Sequence, residues 1–143
     1  MSRNPAQGST RGPVRAVVRA AELAVARELA AIIASGAAEA PAPESLRTRH
    51  ALSLVMVHHR TGPEALIRSM LLLRAATLSL IPFAADEPVP LLVADPQVAA
   101  CNLATYLHNL FQRAMRVRGS SAHELCEATV ARLGGLQDVG VLG

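Results

Sequence analysis

The stretch Pro63–Ile81, PEALIRSMLLLRAATLSLI, decides the fold. Leu66, Ile67, Met70, Leu71, Leu72, Leu73, Leu78, Leu80 and Ile81 would cover every side of a helix, and the polar residues between them gather on no single face. A helix that is apolar all round is a buried one, with other helices packed against it. Thr61-Gly62-Pro63-Glu64 marks its start, with proline at the first helical position and glutamate three residues after threonine, the spacing of a capping box. Pro82 ends it by disfavouring helical geometry at Ile81. The expectation is an all-α fold, a compact bundle of about five helices around the central apolar helix 63–81.

The rest of the composition agrees with that centre. The chain has 143 residues, enough for one domain with a sizeable core, of which 51% are apolar and only 2% aromatic. A core of Ala, Leu, Val and Ile suits close helix–helix contact better than a β-sandwich, which would draw on Tyr, Phe, Thr and Trp. Every basic residue is arginine, a pattern that GC-rich coding explains without selection. The net charge of +3 is a mild bias, short of the field that alone would argue for nucleic acid.

Outward from the centre, 1–12 (MSRNPAQGSTRG) reads as a disordered tail and 13–143 as a single helical domain. Pro13 opens a first helix running to Ser35, striped by Val14, Val18, Ala21, Val25, Leu29 and Ile32. Its Arg-rich stretch, free of acids up to Glu22, shares features with a mitochondrial targeting segment. The first helix of a bundle is the simpler reading. Glu44–His59 has a polar first half and an apolar, β-permissive second half; with no strong strand to pair with, helix is preferred.

The segment from Pro82 to Ala94 is rich in proline yet apolar, so it must lie against the body or a partner. Asp95-Pro96 starts the next helix by cap and first-turn proline. Ala100, Leu103, Leu107, Leu110, Ala114 and Val117 give it a narrow seam, and Gly119 ends it. Ser121 with Glu124 forms a second capping box, opening a last helix through Leu133 that Gly134-Gly135 closes.

Chemistry finds little foothold in these patterns. There is no phosphate loop, no nucleophile elbow and no close carboxylate pair, so no catalytic residues are assigned and a non-enzymatic protein is expected. The nearest metal pattern, His123 with Glu127, lacks the second histidine of a zincin helix, so no metal and no cofactor are expected. Cys101 and Cys126 show no ligand spacing; as lone thiols they suit a reducing, cytoplasmic setting. No stretch reads as a membrane span, since Arg68 and Arg74 interrupt the most apolar one.

Apolar surface in excess of what one core can use points to a protein-interaction module. It would be a homo-oligomer or a small helical subunit of a larger assembly, with contact through Leu103, Leu107 and Leu110 or through Leu91 and Leu92. The alternative is an arginine-mediated binder of RNA or DNA, using Arg47, Arg49 and Arg60 with Arg113, Arg116 and Arg118. No aromatic interleaves these arginines, so stacking platforms for single strands are missing and a solvated face is their default role.

Overall fold

A computed structural model describes residues 5–39, 41–82, 88 and 93–138, with side chains in the first and last helices legible only from residue 20 and up to residue 135. Five helices make up the fold: α1 Pro5–Ala37, α2 Ser45–His59, α3 Pro63–Leu78, α4 Pro96–Arg118 and α5 Ala122–Asp138. No strand occurs among the described residues, so Glu44–His59 is helix, as preferred. No described helix is long and apolar enough to cross a membrane.

α3 sits at the centre, packed against α1, α4 and α5. Leu66, Met70, Leu73 and Ala76 are completely buried, and the remaining apolar residues of α3 are at least half-buried. Only Glu64 and Arg68 of α3 reach the surface, and Arg68 is tied down there by Glu22 of α1 at 3.2 Å. Two of its start and stop signals act differently from expectation. Gly62, in extended geometry, is the N-cap and makes no side-chain cap bond, so the Thr61–Glu64 box does not form. The helix ends at Leu78, and Leu80 and Ile81 continue as turns.

α4 works as a clamp. Its inner face buries Ala99, Ala100, Leu103, Ala104, Leu107, His108, Leu110, Phe111 and Ala114. Gln112 reaches across to the carbonyl of Ala37, the last residue of α1, and Arg118 donates to the carbonyl of Leu80 beyond α3. Each bond satisfies an acceptor at or just beyond a helix end that has no partner within its own helix. The predicted local devices of α4 hold: Asp95 accepts from the Gln97 amide at 2.9 Å, and Gly119 closes the helix at φ 63°. So does the capping box of α5, where Ser121 and Glu124 exchange hydrogen bonds.

Three further boundaries move. α1 starts at Pro5 rather than Pro13 and runs through Gly36, and α5 continues past Gly134 and Gly135 to Asp138. A glycine inside a helix costs about 0.5–1 kcal/mol relative to alanine. The anchoring of α5 by fully buried Leu125, Thr129 and Leu133 offsets a cost of that size.

Leu103, Leu107 and Leu110, expected as a contact surface, are at most 1% exposed. They face the interior of their own chain, because the seam that looked available is filled by the central helices. Leu91 and Leu92 lie outside the described residues.

Burial sets the expected mutational costs. Leu73→Ala should lower stability by about 2–5 kcal/mol in urea titrations, the range for truncating a buried leucine. Leu54→Ala, on an exposed position, should stay within about 0.5 kcal/mol of wild type. Leu107→Glu should fail to fold, because its charge would have no partner in the core.

Candidate functional site

α2 buries the fewest residues of the five helices. It buries only Leu52 and Val55, where the described part of α5 buries three residues, α3 six and α4 nine. Its packing is against α1 and α4. Four features concentrate around it: an outward apolar face, a basic border, a cavity and a cluster of two histidines with a glutamate.

The outward face carries Leu46, Leu54 and Val57, which are 74%, 57% and 76% exposed. Spaced at four-, four- and three-residue steps through His50, they form one stripe opposite Leu52 and Val55. Arg47 and Arg49 border this stripe, and a shallow groove runs past Glu44, Leu46, Arg47, Arg49, His50 and Ser53. The helix ends at Arg60, which adopts the left-handed conformation (φ 52°, ψ 50°) usually given to glycine at that position.

Under the first half of α2 lies a partly open cavity of about 500 Å³, lined by the end of α1, Glu39, Pro41, Pro43 and the middle of α4. Leu29, Ile33, Leu52 and Ala104 give it apolar walls, and Arg47, Thr48, Glu39 and Thr105 supply polar atoms. His108 also lines it. That imidazole is 4% exposed, and its Nε2 is buried with no hydrogen-bond partner among the described residues. Burial pushes its pKa below the ordinary histidine value, because the cation would lose its hydration there.

At the other end of α2, two adjacent histidines converge on one carboxylate of α1. His58 Nδ1 lies 2.9 Å and His59 Nε2 2.7 Å from the same Glu28 Oε1. The rings are 4.6 Å apart and tilted by 54°. Neighbouring side chains on a helix diverge by about 100°, and these two meet only because one presents its near nitrogen and the other its far one. Burial works to raise the pKa of Glu28, but the hydrogen bonds from His59 and His58 and their charges outweigh it, leaving it lowered.

The arginines named from sequence lie on two helices and at the end of the first. Arg47 and Arg49 flank the start of α2, and Arg60 stands at its end. Arg113, Arg116 and Arg118 belong to the last turns of α4, where Arg118 serves the Leu80 carbonyl. His123 and Glu127 form an exposed ion pair at 3.1 Å within one helix, and Cys101 and Cys126 are free, half-buried thiols.

Sequence reasoning missed both the Glu28 cluster and the outward face of α2. Glu28 is thirty residues from His58, so no local motif joins them; the adjacent histidine pair was the available clue. The run from Leu52 to Val57 is apolar on both sides of its helix, so its pattern alone could not say which side faces water. No protein-family model matches the chain, nor does any curated protein or solved structure.

The state of His108 predicts a pH dependence. The unfolded chain binds a proton at this residue near its ordinary pKa of 6.5, and the folded chain resists doing so. Its contribution to stability is therefore whole above that pH and declines as pH falls below it. His108→Leu should flatten the fall in melting temperature between about pH 6.5 and 5. Removing an unpartnered nitrogen should cost little at neutral pH.

Proposed function

We propose that the chain is a non-enzymatic protein-interaction module, a small helical subunit that docks its partner on the outward face of α2. The exposure of Leu46, Leu54 and Val57 on the one helix that buries so little carries this reading. Each such side chain gains about 1.5–3 kcal/mol when taken out of water. A helix with an apolar stripe on both its faces is suited to lie between two layers, and the second layer here is a partner.

The border of the stripe defines the partner's chemistry. Arg47 and Arg49 make it cationic, and among the described residues lining the groove the one acid is Glu44. A second copy of the same face would set like charges against each other. The fitting partner is an amphipathic helix whose apolar stripe is edged by Asp and Glu, read by the groove in the helix-on-helix manner. Docking of this kind requires no nucleophile, and burial raises the pKa of the Cys126 thiol, leaving less of the reactive thiolate.

Nucleic acid is the second reading, supported by the arginines at both ends of α2. It is the weaker one, because the large exposed side chains between them, Leu54 and Val57, are aliphatic, and only the imidazoles of His50 and His58 offer bases a ring to stack on.

Fluorescence anisotropy with three labelled probes distinguishes these readings. The probes are an acidic amphipathic Leu/Glu helix, its basic Leu/Lys counterpart and an RNA or DNA oligonucleotide. The acidic helix should bind, with affinity abolished by Leu54→Glu or Val57→Glu while circular dichroism stays unchanged. Preferential oligonucleotide binding that weakens steeply with salt and ignores both substitutions would establish the second reading instead.

A further inference from the structure

We propose that Glu28, His58 and His59 bind a divalent transition-metal ion of the zinc class, joining α2 to α1. The ligand atoms of the three residues all lie within 4.8 Å of one another. Two imidazole nitrogens already point at one carboxylate oxygen, at 2.9 and 2.7 Å. Tetrahedral coordination with bonds of about 2.0–2.1 Å separates neighbouring ligands by roughly 3.3 Å. Both histidine–carboxylate separations therefore have to widen by about half an ångström for an ion to enter. Each imidazole then presents a lone pair where it now shares a proton.

The donor set selects the ion. Two imidazoles and one carboxylate suit zinc and its neighbours, whereas calcium and magnesium take oxygen ligands. Three protein ligands leave a fourth position for water. The path in is open, since the His58 side chain is 70% exposed and that of Glu28 32%. The site is also favourable to a cation for a reason outside its ligands. His58 and His59 occupy the last turn of α2, where the helix dipole places partial negative charge.

The ion would do structural work. Residues 28 and 59 are joined by a chain segment that includes the 39–43 linker and the whole of α2. Bridging them holds the end of α2 to α1 opposite the cavity, at the helix with the least buried surface. This inference is independent of any partner on the outward face.

Untagged protein stripped with chelator and titrated with zinc chloride by calorimetry, and with cobalt chloride by visible absorption, tests it. One ion per chain should bind, and cobalt should show the d–d bands of a low-coordinate site. His58→Ala and Glu28→Gln should each weaken binding by at least about tenfold, the scale seen even for groups that only support a metal ligand. His58 is exposed enough that its loss should leave the circular dichroism unchanged. His123→Ala and Cys101→Ser should bind like wild type. Absence of saturable binding, binding untouched by His58→Ala and Glu28→Gln, or binding lost in His123→Ala or Cys101→Ser would each overturn the assignment.

Discussion

An aliphatic core holds together only if its helices come close, and small residues make that possible here. Ala26, Ala30, Ala34, Ala76, Ala100, Ala104 and Ala114 are all buried, and Phe111 is the one aromatic among the described core residues. Dispersion and burial both depend on filling space at crystal-like density, which leucine set against alanine achieves when backbones approach. α1, α3, α4 and α5 meet this condition with one another through Leu29, Leu66, Leu73, Leu107 and Leu125, all fully buried. α2 does not share in it. The same close packing that completes the other four helices leaves α2 with two anchors and a cavity beneath it.

What the sequence made legible was mostly local. Asp95-Pro96, Ser121 with Glu124, and Gly119 each act within a turn of helix, so their neighbours in sequence are their partners in space. Thr61 with Glu64 had the right spacing and failed, because Gly62 stands between them as the cap and Pro63 begins the helix. The seam of Leu103, Leu107 and Leu110 was read correctly as an apolar stripe. A stripe, however, carries no mark of whether its cover comes from the same chain or another. Gln112 shows the same limit, being polar in pattern yet committed to the end of α1.

The candidate site was the least legible part, for a physical reason. Its chemistry arises from long-range convergence: Glu28 with two histidines of another helix, and Arg47 with His108 around one cavity. Composition fixes none of these distances. The apolar face of α2 was hidden differently, since a run that is apolar on two sides gives no periodicity to separate the side that packs from the side that waits. Its exposure is a consequence of tertiary packing alone.

Everything assigned to function rests on α2 being the helix held by the least. Regions with few buried apolar contacts open locally at lower free energy than the core, and interaction elements are drawn from that end of the range. Native-state hydrogen exchange on the isolated protein measures this directly. The amides of Ser45–His59 should exchange through a sub-global opening well before those of Pro63–Leu78 and Pro96–Arg118. Protection of α2 equal to that of α3, lost only in global unfolding, would contradict the account.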